Sequence, residues 1–331
     1  MFPDNVAVRL LGDGRKYTYL YYFYTTPGWD EDKDLIQLTG DYQSVEGMTL
    51  QHGGQFTAGE GAGVRLRRPV EEEAIYGTIL RDLVISKPPG CGIIVDATPV
   101  DDHGQFGVYN LYDNIDIDGH RGTAGICINS QYTTTQYLKN CHVHDGYGNG
   151  IQVDGAKGVS IIDCIAENLA YPIVLIDAGG IIIDGCWFEG GSEPFIDVTG
   201  SSSGVSITTC CFVKGATNLL CIRVKDTATG IVISDCWIAT SGTPTTANIS
   251  IASGCEATVI GGVVNGAGNK LIVSDSSTKS TLVGSMWRFR LPRVSSSDLS
   301  NMAAPQVGDM IYDTTVGKAR IYDGSNWQSL W

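Results

Sequence analysis

Histidine, glutamate and tryptophan recur in this chain at a fixed offset from cysteine. "CHVHD" (141–145), "CIAEN" (164–168), "CWFEG" (186–190) and "CWIA" (236–239) each place such residues one or three positions after the thiol. On a strand whose cysteine points inward, those positions point outward, because side chains alternate. One outer column then reads His144, Glu167, Glu189, and the one beside it His142, Ile165, Trp187, Cys211, Trp237. Equivalent residues of stacked strands lie ~4.8 Å apart. Carboxylates one rung apart therefore approach the ~5 Å of a retaining glycosidase, and two rungs apart the ~9 Å of an inverting one. An exposed indole offers a flat apolar platform for a sugar ring. Glu167, Glu189 and His144 are thus the candidate catalytic residues, with Trp187, His142, Trp237 and Asp145 as candidate substrate contacts. The bland alternative stays open: outer strands carry polar residues anyway, and Trp187 and Trp237 could equally pack between subunits.

A second column, Asp96, Asn129, Asp154 and Asp177, with Asp197 after a one-residue shift, ends the later strand of each phrase. Stacked carboxylates raise one another's pKa, so Asp154 and Asp177 are the alternative catalytic pair. Aspartates before Gly, Ala or Thr also form turns, which is the competing role. No metal or other cofactor is expected; Ca²⁺ is the one option, at Asp101, Asp102 and His103. G-x-S-x-G, HExxH and P-loop patterns are missing. No arginine lies between Arg121 and Arg223, and only Lys139, Lys157 and Lys214 stand there. That shortage of basic residues favours hydrolysis over β-elimination.

What must position these residues is a repeat. Cys141, Cys164, Cys186, Cys210 and Cys236 fall at steps of 23, 22, 24 and 26 residues. The same slot is read downstream at Gly262 and Ser285 and upstream at Asn114, Asp82 and Gly47. A second strand follows about ten residues later, as in "GICINS", "GIQVDG" and "PIVLIDA". Self-similarity at this period marks a solenoid whose units bury their apolar faces on one another. Short β-rich strands broken by Gly, Asn, Asp and Ser specify a parallel β-helix of about ten coils, ~50 Å long. Small residues are expected inside its corner, where nothing larger fits. The cysteines are read as reduced core packing, since five equivalent positions cannot pair evenly.

Composition supports this reading. The 331 residues are 43% hydrophobic and 18% charged, with 42 Gly and a net charge of −14. Gly and β-branched residues disfavour long helices. The negative charge argues against nucleic acid and against anionic membrane surfaces.

Four segments are expected: 1–34 as an N-terminal cap strand, 35–288 as the β-helix, 289–304 as a linker, and 305–331 as a small β unit. The last contains "GDMIYDTTVGKARIYDGSNWQSL", which resembles the β-hairpins ending many bacteriophage tail-fibre and tailspike proteins. Residues 35–286 resemble the pectate-lyase-like right-handed parallel β-helix, the body of tailspikes and of many polysaccharide lyases and hydrolases. Together the resemblances imply a homotrimeric virion-tail protein. It would be assembled in the host cytoplasm, contact other tail proteins, and bind or depolymerise a bacterial surface polysaccharide at the host cell surface. The rivals are a non-catalytic adhesion spike and a free-standing, virus-encoded polysaccharide hydrolase or lyase.

Overall fold

The computed structural model describes residues 8–23, 34–53, 61–67, 75–96, 106–129, 133–192, 194–214, 220–240, 247–265, 273–283, 293–299, 305 and 310–330. Two compact units, Met1–Met286 and Trp287–Trp331, make up the chain. Asp101, Asp102, His103 and Ser285 fall outside the described residues.

Among the described residues of the first unit, strands pair parallel with their equivalents in adjacent coils. Ile161, Ile183, Ile207, Ile233 and Val259 form one inward ladder. Ile126, Ile151, Ile173, Ile196, Ile222 and Ile249 form another in a ten-stranded sheet. All are buried, and each such side chain contributes roughly 1.5–3 kcal/mol on leaving water. Phe188 stacks on Phe212 at 5.2 Å between ring centroids, and Phe195 lies 6.0 Å from Phe212. This is a parallel β-solenoid. About eight turns are regular, slightly fewer than the ten expected.

The cysteine column is real, and all ten cysteines are free thiols. Cys164, Cys186, Cys210 and Cys236 each donate to the carbonyl two residues earlier, at 3.3, 3.4, 3.2 and 3.4 Å. Upstream the expected slot is one residue off. His142 pairs with Asp116, so the partners of Cys141 are Ile115, then Leu83 and Met48. These large residues are buried in the same position, so the small-residue rule fails there. Asn114, Asp82 and Gly47 belong instead with Asn140, Asp163, Gly185, Thr209 and Asp235, all at φ between 50 and 69°. A left-handed residue makes the bend, and Asn, Asp and Gly reach that conformation most cheaply.

Asp177 (φ 49°) occupies a left-handed corner too, in line with Gly155, because Asp154 pairs with Ile176. Asp154, Asn129 and Asp96 share a true column, whereas Asp177 sits one residue beyond it. Asp197 leaves that column altogether: it pairs with Val174 and Arg223. Its ion pair with Arg223, at 2.6 Å, uses the carboxylate.

The N-terminal strands Arg9–Leu11 and Tyr19–Phe23 continue the stack in parallel on Ser44–Gly53. In the second unit, Met310–Asp313, Lys318–Tyr322 and Trp327–Ser329 form an antiparallel meander. The expected linker is partly structured: Arg293–Val294 pairs with Met310–Asp313, and Ser296 Oγ donates to the buried Asp313 carboxylate at 2.7 Å. Among the described residues no helix is long and apolar enough to cross a membrane.

Candidate functional site

The outer columns fall where the repeat places them. His144 pairs with Glu167 and Glu167 with Glu189; His142 aligns with Ile165, Trp187, Cys211 and Trp237. Each candidate is held by its neighbours. His142 Nε2 and Glu167 Oε1 lie 2.6 Å apart, and Trp187 Nε1 donates to Glu189 Oε2 at 3.2 Å. The Trp187 and Trp237 rings lie 6.5 Å apart across the intervening Cys211. Asp145 accepts from Asn168 at 3.0 Å and lies 2.9 Å from His144 Nδ1.

Two residues at this face escaped the sequence reading. Asp116 pairs with His142 and Asp118 with His144. Asp116 Oδ1 sits 3.1 Å from His144 Nε2 and 3.5 Å from His142 Nδ1. The signal was legible in "NIDID" against "NCHVH", but aligning Asn114 with Cys141 instead of Asn140 turned both aspartates inward. A one-residue slip exchanges the two faces of a strand. Burial alone would lower the His144 pKa, but Asp145, Asp116 and Asp118 together raise it above the ordinary imidazole value. The hydrogen bonds from His144 and Asn168 hold Asp145 below the usual carboxylate range.

The second constellation lies at a corner. Asn129, Asp154, Lys157, Asp177, Ser201 and Ser203 line a cleft of about 730 Å³. Its two carboxyls are displaced in opposite directions. Burial, then the charge of Asp177, pushes the Asp154 pKa up. Ser201 donates to Asp177 Oδ1 from its backbone N–H at 2.7 Å and its hydroxyl at 2.9 Å, which pulls the Asp177 pKa down. Asp177, one residue past the register of Asp154, lines the cleft from the next coil.

A family described as "Right handed beta helix region" matches residues 77–218 and 124–285, over half of the chain. The chain belongs to this family. Its coils are accordingly right-handed. No curated protein sequence matches this β-helix. Among solved structures, DFA-IIIase from Arthrobacter chlorophenolicus A6 in complex with GF2 is 11% identical, with a TM-score of 0.49 over 80% of this chain and 82% of that one. Tailspike protein 3 of bacteriophage CBA120 is 14% identical, with a TM-score of 0.35 over 97% of this chain and 63% of the tailspike. PfbA, a surface adhesin of Streptococcus pneumoniae, is 8% identical, with a TM-score of 0.44 over 87% of this chain and 77% of the adhesin. A β-helix scaffold carries unrelated activities, so function rests on the site.

Proposed function

We propose that this β-helix binds a bacterial surface polysaccharide and hydrolyses it in the corner cleft, with Asp154 as general acid and Asp177 as the ionised partner. One observation carries this reading: two carboxyls on adjacent coils line one cleft with pKa values displaced apart. Such a division supplies both forms that glycoside hydrolysis uses. Asp154 gives its proton to the glycosidic oxygen as the C–O bond breaks, and the Asp177 charge supports the cation developing on the sugar. Water then adds to that carbon and returns a proton to the Asp154 carboxylate. Lys157, Ser201 and Ser203 offer donors and acceptors to sugar hydroxyls. We prefer this pair to Glu167, Glu189 and His144 because its two carboxyls line one cleft.

A second reading has its own support. Trp187 is 39% exposed and stands with Trp237 and Glu189 on one face, a surface suited to holding a sugar chain without cleaving it. The terminal meander, whose sequence resembles phage-fibre hairpins, supports a place in a virion tail beside other tail proteins. The exposed Tyr17, Tyr19 and Tyr21 fit a homotrimer in which sister chains cover them.

Reducing-end release from a panel of capsular, lipopolysaccharide and plant glycans tests the reading. The full chain should release ends from at least one, and Asp154→Asn and Asp177→Asn should each cut kcat by about 100- to 10,000-fold. Activity should fall as pH rises through the elevated Asp154 pKa, and as pH falls through the depressed Asp177 pKa. An unsaturated product absorbing in the ultraviolet would replace hydrolysis with elimination. Binding without release would leave only the platform. A monomer by light scattering would remove the trimeric spike.

A further inference from the structure

We propose that Asp116, His142 and His144 form a binding site for one divalent transition-metal ion, with zinc as the reference ion. The site is independent of the cleft reading and lies on another part of the coil.

Three observations carry it. First, "HVH" (142–144) aims two imidazoles outward from one strand, and the preceding coil sets Asp116 beside them. One ligand atom from each residue lies within 4.8 Å of the other two. Second, the distances suit an ion. Tetrahedral ligands at ~2.0–2.1 Å from zinc stand ~3.3 Å from one another. Asp116 Oδ1 lies 3.5 Å from His142 Nδ1 and 3.1 Å from His144 Nε2, which brackets that edge.

Third, the far nitrogen of each ring is already anchored. His142 Nε2 is 2.6 Å from Glu167 Oε1, and His144 Nδ1 is 2.9 Å from Asp145 Oδ2. Metal-ligating histidines almost always give their second N–H to a carboxylate or carbonyl, which fixes tautomer and orientation. Here both rings have one nitrogen so held and the other directed at the same aspartate oxygen. The rings stack at 4.3 Å between centroids, 26° from parallel.

Electrostatics point the same way. Asp116, Asp118, Asp145 and Glu167 bring four carboxyls to two imidazoles. With neutral rings the cluster carries an excess of negative charge that a dication offsets. Imidazole nitrogen favours zinc and its first-row neighbours over Ca²⁺ and Mg²⁺, which prefer all-oxygen sites. Three protein ligands leave a position for water or a sugar hydroxyl.

The test uses the full chain, stripped with chelator and titrated with Zn²⁺ by calorimetry. One equivalent should bind. His144→Ala and Asp116→Asn should abolish that step, and Glu167→Gln should weaken it about 10- to 100-fold by loosening the hold on His142. Asp118→Asn should leave the stoichiometry unchanged. Should the histidine variants fail to fold, Co²⁺ added to the unaltered chain still decides. Visible bands of a four-coordinate nitrogen/oxygen site support the proposal. A thiolate-to-metal charge-transfer band would assign the ion to a cysteine and overturn it. Absence of binding at micromolar Zn²⁺, or undiminished binding in His144→Ala, would overturn it as well.

Discussion

The coils before residue 118 and those after residue 133 use one bend with different fillings. Before it, Met48, Leu83 and Ile115 stack inside the corner; after it, Cys141, Cys164, Cys186, Cys210 and Cys236 do. The left-handed residue just ahead of them is common to both, from Gly47 and Asp82 to Asp163 and Asp235. The bend therefore belongs to the backbone, and the inward side chain fills whatever space its neighbours leave. Three large residues and five small ones are alike buried at that place.

Truncation should separate the two fillings most strongly. Leu83 is fully buried, and Leu83→Ala should cost roughly 2–5 kcal/mol through lost burial and the cavity left behind. Cys186→Ala removes one polarisable atom from a column of small residues and should cost ~1 kcal/mol. Chemical denaturation of both variants measures the contrast. Equal costs would mean that the cysteine column is under a constraint of its own.

The junction of the two regions carries a pH signature. His120 is fully buried, and a Cβ on Gly146 of the next coil would collide with its ring. Burial pushes the His120 pKa down to about 4, against ~6.5 when unfolded. Between those values the unfolded chain holds the extra proton, so stability falls as pH drops from ~6.5 to 4, by ~3 kcal/mol in all. Denaturation midpoints from pH 7 to 4 should show this slope, and His120→Gln should flatten it. A slope unchanged in that variant would move the effect to the carboxylates.

The repeat was legible because cysteine marks it: the spacing alone fixed the outer columns from His142 to Trp237 and from His144 to Glu189. Legibility stopped where the marker changed. With Ile115 in the thiol's place, the small Asn114 falls into line with Cys141 by residue type, and that slip of one hides Asp116 and Asp118. Asp177 was misplaced for a related reason. In the sequence it resembles Asp154, but Ile176 takes the place opposite Asp154, so Asp177 falls one residue further along, in the bend. Asp197 likewise looks like a member of that column until its pairing with Arg223 assigns it elsewhere. Side-chain partners such as Glu167 on His142 were not readable, since they depend on which rotamer bridges two coils.

The smallest expected effect tests the backbone claim most directly. Asp163 sits at φ 52° with its side chain exposed, so substitution there changes little but conformational preference. Asp163→Gly should match or slightly exceed the parent in stability, because glycine reaches this region without strain. Asp163→Val should lose ~1–2 kcal/mol, the penalty of a left-handed residue with a branched Cβ and no local hydrogen bond. Thr209 shows how a branched residue survives in the same column. Its hydroxyl lies 2.5 Å from Asp184 Oδ1 and accepts the Gly185 N–H at 3.1 Å, bonds that valine cannot make. At position 163 the Asn140 N–H is in place for such a hydroxyl but Lys139 stands where Asp184 does, so Asp163→Thr should fall between glycine and valine, nearer valine. If valine and glycine gave equal midpoints, the corner would be set by what fills it, and the cysteines would again become its cause.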